Sequence, residues 1–335
     1  KLNSRKYFVM DFINSLAKLA LERGGKIYPL IIPAEENGGL GLMNPSIYKD
    51  GDKTAVILRA VNYTFYHSEE KLFQHQYGPL TYVHPENDQH LRTWNHYLEM
   101  DSDYNIVRHN KIDTSRFPEK ELWEFVGLED ARLFRWDDKL WTCGVRRDLD
   151  TVGTGRMELC EIQVEDDRVI EVSRNRIEPP HEAYCEKNWM PILDKPYHFV
   201  KWGNPTEVVK VDIENKTSEV VFQSNYRQDI PRDLRGGTQI ISWKGYYLAL
   251  THEVDLFKSE VERKDAVYRH RVVLWDKDWN LVKWTSDFSI MSGHVEFAIG
   301  IIEDGDDFVL SFGFQDNAAY LLRFPQAIIE EILDV

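Results

Sequence analysis

Short apolar runs, separated by tight turns rich in Asp, Gly or Lys, recur along this 335-residue chain. Each copy begins with polar residues, continues as a strand, turns, and returns as a second strand with a polar end. The apolar residues are nearly continuous, as in Thr54–Leu58 and Phe308–Phe312, which indicates strands covered on both faces. The five copies are Asn44–Tyr63, Asp130–Arg147, Lys187–Asn204, Gly237–Val254 and Glu296–Asp316.

A second, more polar hairpin follows most copies. Its polar and apolar residues alternate better, as expected for an outer, half-exposed pair of strands. These hairpins are Met157–Ile177, Glu207–Phe222 and Tyr268–Phe288. After the first copy a longer insertion blurs the pattern, and we assign the hairpin to Asp103–Ile112.

Two hairpins per repeat make a four-stranded sheet. Five sheets at intervals of about 50–85 residues predict an all-β fold, a five-bladed β-propeller. Two β-sandwiches in tandem are the alternative, but the copies are regular and no linker separates two halves. We therefore expect residues 1–335 to form one domain.

The chain termini are predicted to complete the ring of sheets. The last copy is followed by only one further strand, Tyr320–Phe324, so we expect Lys26–Ile32 to supply the missing one. Helical spacing predicts an N-terminal helix over Phe8–Leu21, within residues 1–25, which stops at Gly24 and Gly25. A C-terminal helix over Pro325–Leu333, within residues 325–335, begins with Pro.

Charge and composition exclude several classes of protein. The chain has 41 Lys and Arg against 56 Asp and Glu, a net charge of −15, which repels nucleic-acid phosphates. The longest run without these charged residues, Leu72–Pro85, is shorter than the roughly 20 residues of a membrane helix. Neither nucleic acid nor a membrane is therefore an expected partner.

The cysteines and histidines do not predict a metal site. Cys143, Cys160 and Cys185 fit no zinc spacing, and we interpret them as buried thiols of a cytoplasmic protein. Six of the eleven histidines lie between the first two copies at irregular intervals. We interpret this stretch as a surface insertion that shapes an acceptor site, with no metal bound.

The repeat brings distant polar residues together. In a propeller the innermost strands line a central channel, so the starts and the finishes of all copies meet at one end of it. The starts are Asn44–Ser46, Glu129–Arg132, Glu186–Trp189, Arg235–Gln239 and His294–Phe297. The finishes are Arg59–Asn62, Arg146–Asp148, Lys201–Trp202, Thr251–Glu253 and Gln315–Asn317. Acids, bases and amides at every start predict a functional pocket there.

Several of these segments resemble the β-mannoside phosphorylases of glycoside hydrolase family 130 and the related β-1,2-mannosyltransferases. The segments are Gly127–Leu133, Glu186–Asn188, Tyr247–Glu253, Asn44-Pro45 and Arg59-Ala60. Their order and spacing agree with the family over Asn44–Tyr320. The chain departs from the family pattern at Ala131, where the family has Pro, at Glu253, where it has Gly, and at Arg235–Thr238.

The resemblance implies an inverting single displacement. Asp130 matches the family's acid, which protonates the glycosidic oxygen through a sugar hydroxyl while phosphate attacks the anomeric carbon. The opposing interpretation of Asp130 is a salt bridge with Arg132. If the strand alternates regularly, Glu129 points to the opposite face from Asp130.

The resemblance also implies two sets of binding residues. Arg147, Lys187 and His252 match phosphate-binding positions, with Arg146 and Arg269 nearby. Alternatively, these cations pair with neighbouring acids, which are Glu129, Asp148, Glu186 and Glu253. The residues expected to bind sugar are Asn44, Arg59, Asn62, Asn188, Glu296 and Asp316.

Together these features predict an enzyme that moves β-linked mannose between a saccharide and phosphate. Inorganic phosphate or a sugar phosphate is its expected co-substrate, with no other cofactor. The alternatives are a transferase that uses a nucleotide sugar, a hydrolase of the same fold, and a non-catalytic carbohydrate-binding propeller. The basic triad Arg147, Lys187 and His252 separates phosphate users from hydrolases, and Asp130 separates enzymes from binding proteins.

Overall fold

The computed structural model describes residues 15–37, 41–67, 80–230, 233–258 and 264–334. This part of the chain is nearly all-β. Its first half contains α1 (Leu16–Glu22), β1 (Lys26–Pro29), α2 (Ala34–Asn37), β2 (Leu42–Asp50), β3 (Lys53–Val61), β4 (Thr64–His67), β5 (Leu80–Val83), β6 (Leu91–Met100), β7 (Ile106–Asp113), β8 (Phe125–Val126), β9 (Glu129–Trp136), β10 (Lys139–Arg146), β11 (Arg156–Val164) and β12 (Val169–Ile177).

The second half continues with shorter and longer strands and ends in a helix. Its elements are β13 (Met190–Pro191), β14 (His198–Gly203), β15 (Thr206–Asp212), β16 (Thr217–Gln223), β17 (Arg235–Gly236), β18 (Ile241–Trp243), β19 (Tyr246–Lys258), β20 (Lys264–Trp275), β21 (Leu281–Trp284), β22 (Glu296–Asp304), β23 (Asp307–Phe314), β24 (Ala318–Pro325) and α3 (Gln326–Leu333).

All five predicted apolar hairpins are present as antiparallel pairs. They are β2–β3, β9–β10, β13–β14, β18–β19 and β22–β23. Gly51 and Gly305 occupy the turns with φ of 63°, a left-handed conformation in which a side chain would be strained. The local turn chemistry and the continuous apolar strands therefore predict these hairpins correctly.

The outer hairpins agree with the prediction except after the first copy. The pairs β11–β12, β15–β16 and β20–β21 form as expected. The segment Asp103–Ile112 is not a hairpin, because the true pair is β6–β7. The Asp101 carboxylate accepts hydrogen bonds from the backbone N–H groups of Asp103 and Asn105 and so stabilises the turn.

The strands are ordered in runs of four, and each run begins with one of the five inner hairpins. We call each run a unit and number the units in chain order. The first unit has the order β2-β3-β6-β7 and the second β9-β10-β11-β12, and a short parallel ladder between β7 and β12 joins them. The third unit is β13-β14-β15-β16. In the fourth, β17 and β18 both pair with β19, which is followed by β20 and β21.

The fifth unit joins the two ends of the described chain. Its order is β22-β23-β24-β1, and β1 pairs antiparallel with β24 from Lys26↔Arg323 to Pro29↔Tyr320. The prediction that a strand near the N-terminus completes the last sheet is confirmed. Of the predicted helix Phe8–Leu21, residues 8–14 lie outside the described residues, and α1 covers the rest. The predicted C-terminal helix is α3.

Apolar side chains fill the spaces between neighbouring units. Between the second and third units, Trp136 packs edge-on against Phe199 at 5.2 Å between ring centroids. Leu16 and Ala20 of α1 share a buried cluster with Ile328 of α3 and with strands of the fourth and fifth units. Cys143 and Cys160 are buried free thiols, as expected, and Cys185 is half-buried.

The first strands of several units lie next to one another. Strand β2 contacts both β9 and β22, β19 contacts β22, and β14 contacts β17. The inner strands of these units therefore lie side by side, which positions the candidate site. Within the described residues, no helix has the length and apolar character needed to cross a membrane.

Candidate active site

A polar cavity of about 110 Å³ lies where the inner strands converge. All five units contribute to it, together with strands β5 and β8. Its lining consists of Asn44, Arg59, Tyr63, Tyr82, Phe125, Glu129, Asp130, Lys187, Asn188, Arg235, His252, Tyr268, Val295, Phe297 and Asp316. A larger groove of about 610 Å³ lies between Trp141 of the second unit and Glu214 of the third, but it contains none of the predicted site residues.

Four polar residues that line the cavity have left-handed backbone conformations. Asn44, Asp130, Asn188 and Asp316 have φ between 43° and 63°, a region that Asn and Asp tolerate better than other residues with a side chain. Each lies at the start or finish of a different unit. Held by the surrounding sheets, these conformations turn polar side chains into the cavity, and such strain is concentrated at functional sites.

Arg59 connects the acidic residues of the cavity. Its side chain is buried, and Nη1 donates to Oδ1 of Asp130 at 2.8 Å while Nη2 donates to Oε2 of Glu129 at 3.2 Å. Further donation to Thr93 Oγ1 and to the Tyr63 hydroxyl fixes the guanidinium plane. One buried cation thus holds two neighbouring carboxylates.

Asp130 is held as a carboxylate in the free protein. Burial alone would raise its pKa, but the charge of Arg59 and hydrogen bonds from Asn44 and Arg59 lower the pKa below its ordinary value. The Asn44 amide donates from Nδ2 to Oδ1 of Asp130 at 2.8 Å. The Arg132 side chain does not take part, because it donates instead to the carbonyl oxygens of Gly237 and Asp130.

Glu129 and Asp316 differ from Asp130 in their electrostatics. Burial raises the pKa of both, and the favourable charge of Arg59 does not compensate for it. The cavity therefore contains three carboxyl groups, of which Asp130 is the strongest acid. Glu129 and Asp316 therefore hold a proton more readily than Asp130 does.

Regular strand alternation is the wrong expectation for Glu129 and Asp130, because both line the same cavity. Asp130 has φ of 52°, and the pairing of β9 with β10 shifts register opposite it, between Cys143 and Val145. The extra residue of this β-bulge turns Asp130 to the same side as Glu129. A Cβ on Gly144 would lie 2.3 Å from the carbonyl oxygen of Glu129, so the bulge requires glycine there.

The third and fourth units each contribute a basic side chain to the cavity lining. Lys187 lines the cavity and makes no ion pair with any carboxylate in the described part of the chain. Arg235 lines it as well, and its Nε donates to Asp233 at 3.0 Å. Lys187 thus makes no direct ion pair, although its charge acts on the pKa values of Glu129 and Asp130.

His252 is a buried neutral imidazole. Its ring stacks on Tyr268 at 5.8 Å and contacts the edge of Phe297 at 4.7 Å. Burial lowers the pKa of His252 well below its usual range, and the neighbouring His270, Arg235 and Lys187 lower it further. Its Nδ1 is buried and has no hydrogen-bond partner among the described residues.

Arg147 lies at the rim rather than in the lining of the cavity. It donates to the carbonyl oxygen of Gly153 at 3.0 Å and to the Tyr184 hydroxyl at 3.2 Å. The rings of Trp123, Phe125 and Tyr184 surround its guanidinium at 5.4–6.0 Å. No carboxylate of the described chain forms an ion pair with Arg147. Its positive charge nevertheless opposes the rise that burial causes in the pKa of Glu129.

Among the acids proposed as alternative partners, Asp148 pairs with Arg146, as that alternative expected, and the others pair with Arg59, Lys201 and Arg271. Glu186 binds Lys201 at 3.3 Å, and Asp148 lies 3.5 Å from the buried Arg146, which also binds Glu158 at 2.7 Å. Glu253 binds Arg271. These pairs satisfy the acids and remove Arg146 from the candidate phosphate ligands.

Besides Arg147, three residues expected in the site lie outside the cavity lining. Asn62 binds the side chain of Asp88 and the carbonyl of His90. Glu296 is fully buried and accepts backbone N–H groups from Ile290, Met291 and Gly293, so it organises that loop. Arg269 follows Tyr268 on β20, and only Tyr268 lines the cavity, because successive strand residues point to opposite faces.

Several lining residues are absent from the sequence-based set. They are Tyr63, Tyr82, Phe125, Arg235, Tyr268, Val295 and Phe297. Arg235, Val295 and Phe297 lie within the predicted strand starts, and Tyr63 ends the first copy. The repeat could therefore have identified these four. Tyr82 comes from the insertion, where no repeat indicates which residue faces inward.

No protein-family model matches the sequence, and no curated protein matches it significantly. Solved structures match its fold. A β-1,2-mannobiose phosphorylase from Listeria innocua has a TM-score of 0.56 at 14% identity, over 92% of this chain and 99% of that one. A mannose phosphorylase from Leishmania mexicana, in complex with phosphate ion, has 0.52 at 12% over 92% of each chain.

The same fold also occurs in an enzyme that depends on a nucleotide sugar. A GDP-Man-dependent mannosyltransferase from Leishmania mexicana has a TM-score of 0.52 at 10% identity, over 90% of this chain and 89% of that one. The resemblance to the family 130 enzymes is thus confirmed as a similarity of fold. At 10–14% identity the similarity shows the fold alone, and the reaction must be argued from the cavity.

Proposed function

We propose that this protein is an inverting glycosyl-transferring enzyme that exchanges a β-linked mannosyl group between a saccharide and phosphate. The observation that carries the proposal is the composition of one cavity. It combines the Glu129–Asp130 carboxyl pair with Lys187, a cation that lacks a carboxylate partner among the described residues. A displacement by phosphate requires both a proton donor and a cationic site.

We further propose that the five units are the blades of one propeller and that the chain forms one domain. The pairing of β1 with β24 supports this, since it completes the fifth sheet with a strand from the other end of the described chain. Contacts of β2 with β9 and β22 support a ring in which the first, second and fifth units meet.

Asp130 is the proposed acid, and binding of the sugar must raise its pKa. In the free protein Asn44 and Arg59 stabilise its carboxylate. A sugar hydroxyl that takes the Asn44 amide for itself would remove one of these hydrogen bonds, and exclusion of water would disfavour the charge further. The proton then passes from Asp130, through that hydroxyl, to the glycosidic oxygen.

Glu129 supports the charge state of the acid. Both carboxyls share Arg59, so ionisation of Glu129 raises the pKa of Asp130 and protonation of Glu129 lowers it. Glu129 therefore acts on Asp130 through the guanidinium, and Asn44 and Asp316 are left to bind sugar hydroxyls.

The phosphate is proposed to lie against Lys187, Arg235 and the neutral His252. Lysine and arginine supply charge, and an N–H of the neutral His252 imidazole supplies an uncharged donor. Arg147, at the rim, is placed to attract the anion and to bind it on entry. This basic set argues against a hydrolase, in which a water molecule would replace the phosphate.

A transferase that uses a nucleotide sugar is the second candidate. The rings of Trp123, Phe125 and Tyr184 around Arg147 favour it, because aromatic and guanidinium faces can stack on a nucleobase beside the phosphate site. This surface is compatible with a donor larger than a sugar phosphate.

The experiment compares donors directly. The purified protein is incubated with β-1,2-mannobiose and inorganic phosphate, with mannose 1-phosphate and a mannoside acceptor panel, and with GDP-mannose and the same panel. We expect phosphate-dependent release of α-mannose 1-phosphate from the β-mannoside, because a single displacement inverts the anomeric centre. Transfer from GDP-mannose alone would select the second candidate, and release of free mannose without phosphate would identify a hydrolase.

A further inference from the structure

The hairpin β4–β5 is an insertion that belongs to none of the five units. It forms a separate two-stranded sheet, and in the sequence it lies between β3 and β6. The segment that connects its strands, 68–79, lies outside the described residues. Through Tyr82 of β5, this hairpin nevertheless contributes directly to the lining of the candidate active site.

Two sets of hydrogen bonds attach the hairpin to the fifth unit. The Tyr82 hydroxyl donates to Oδ2 of Asp316 at 3.1 Å. The next residue, Asn317, binds the backbone of Phe65 twice, since its Oδ1 accepts the Phe65 N–H at 2.9 Å and its Nδ2 donates to the Phe65 carbonyl at 2.6 Å. The finish of the fifth inner hairpin thus holds both strands of the insertion.

Aromatic packing fixes the Tyr82 ring itself. Tyr63, which is nearly fully buried, contacts it at 5.3 Å with the rings almost perpendicular, and Phe65 contacts it at 5.2 Å. Phe125 of β8 packs against it at 6.3 Å, also edge to face. A tyrosine held by three rings and one carboxylate has lost its freedom before any ligand binds, so contact with it costs a ligand little entropy.

The described strands of the hairpin bring no cation to the cavity lining, and the nearby Arg59 is already bound by Glu129 and Asp130. Lys187 and Arg235 come from the third and fourth units, whereas Tyr82 and Asp316 present an aromatic face, a hydroxyl and a carboxylate. Such groups recognise the C–H faces and hydroxyls of a sugar rather than an anion. The saccharide, not the phosphate, is therefore the ligand that meets this wall.

We infer that Tyr82 is a specificity-determining residue, and that the β4–β5 hairpin is a fixed wall that limits the length of the saccharide the enzyme accepts. The inference rests on the proposed function, because it concerns the saccharide of the same cavity. With Tyr82 in place, a short saccharide fills the space up to the wall, and each further sugar unit on that side meets the tyrosine ring.

The test compares Tyr82→Ala, Tyr82→Phe and wild type with mannosides of two and four units. The readout is the ratio of kcat/KM for the longer to that for the shorter saccharide. Tyr82→Ala is expected to raise this ratio by about tenfold or more, since the change opens space rather than removing a catalytic group. Tyr82→Phe keeps the ring and should leave the ratio within about twofold of wild type.

Asn317→Ala provides a second variant that does not alter the cavity lining. It releases Phe65 from the fifth unit and should shift the ratio in the same direction as Tyr82→Ala, by a smaller factor. Tyr246→Ala, at an exposed position in the fourth unit, is the matched control and should leave the ratio unchanged. An unchanged ratio in both folded variants, Tyr82→Ala and Asn317→Ala, would overturn the inference.

Binding separates this inference from the proposed reaction. If wild type transfers no sugar from any donor, calorimetry measures its affinity for the two- and four-unit mannosides. The ratio of these affinities then replaces the ratio of kcat/KM. If Tyr82 forms a wall, Tyr82→Ala should bind the longer saccharide more tightly, relative to the shorter one, than wild type does. This expectation does not depend on which reaction the enzyme catalyses. Equal affinity ratios in wild type and variant would contradict the inferred wall, and they would leave the proposed reaction untested.

Discussion

Asn44 donates a hydrogen bond from Nδ2 to Oδ1 of Asp130 across 2.8 Å, although 86 residues separate them in the sequence. Both residues have left-handed backbone conformations, and each begins the inner hairpin of its own unit. This contact ties the first unit to the second at the point where the chemistry is proposed to occur. It also makes the protonation of Asp130 depend on how the sheets pack.

Asp130→Asn should retain the fold and saccharide binding but lose about a hundred- to ten-thousand-fold in turnover, because the amide cannot deliver a proton. Glu129→Gln should cost less, since it acts through Arg59 and the pKa of Asp130. Turnover and melting temperature of both variants check this. If Glu129→Gln is inactive and Asp130→Asn retains near-normal turnover, the roles of the two carboxyls are exchanged.

Lys187→Ala should weaken the use of phosphate or of a sugar phosphate by about ten- to a hundredfold. A charge-assisted hydrogen bond contributes roughly 1.5–3 kcal/mol, and 1.4 kcal/mol corresponds to a factor of ten. The measurement is initial rate against phosphate concentration. Lys210→Ala, an exposed lysine on β15, is the matched control. Equal phosphate dependence in the two variants would contradict the proposed anion site.

Gly313→Ala should impair the site through Asn44. A Cβ at residue 313 would lie 2.0 Å from Oδ1 of Asn44 and 2.8 Å from its backbone nitrogen, so Asn44 must move away from Asp130. We expect a loss of roughly 1–3 kcal/mol in the free energy of unfolding, together with lower turnover and a shifted pH profile.

The control for Gly313→Ala is Gly305→Ala, in a turn where φ is 63° and the added Cβ meets no other atom within 4 Å. This variant is strained as well, but it lies at the opposite end of β23. It should lose stability without a change in the pH profile of turnover. A normal pH profile in Gly313→Ala would show that Asn44 does not control Asp130.

His96 should make the folded state sensitive to mild acid. It is fully buried, stacks on His109 at 5.6 Å, and neither ring nitrogen has a hydrogen-bond partner within the described residues. Burial, with the neighbouring His109 and Lys111, lowers its pKa to about 4. The unfolded chain takes up the proton at its ordinary pKa of about 6.5.

Because the folded pKa is depressed, the contribution of His96 to stability is complete above about pH 6.5 and decreases as the pH falls toward 4. At pH 5 the loss is about 2 kcal/mol. His96→Leu should therefore show a smaller decrease in the free energy of unfolding between pH 7 and pH 5 than wild type. Equal decreases, measured by urea unfolding, would assign the acid sensitivity to other groups.

Local sequence determined most of the secondary structure. Continuous apolar runs such as Thr54–Leu58 and turns at Gly51 and Gly305 are short-range features, so the five inner hairpins and most outer ones follow from them. The incomplete last repeat also predicted that a strand near Lys26 completes the fifth sheet. The exception, at β6–β7, occurred where an insertion interrupts the repeat and the turn depends on the capping carboxylate of Asp101.

The tertiary structure decided which polar residues face the cavity. Alternation assumes extended backbone throughout, and the positive φ of Asp130 breaks it, so Glu129 and Asp130 lie on one side. Glu296 and Asn62 satisfy buried backbone and loop groups instead of a ligand. Tyr82 reaches the cavity because Asp316 and Asn317, more than 230 residues away, hold its hairpin, and no local pattern encodes a contact of that range.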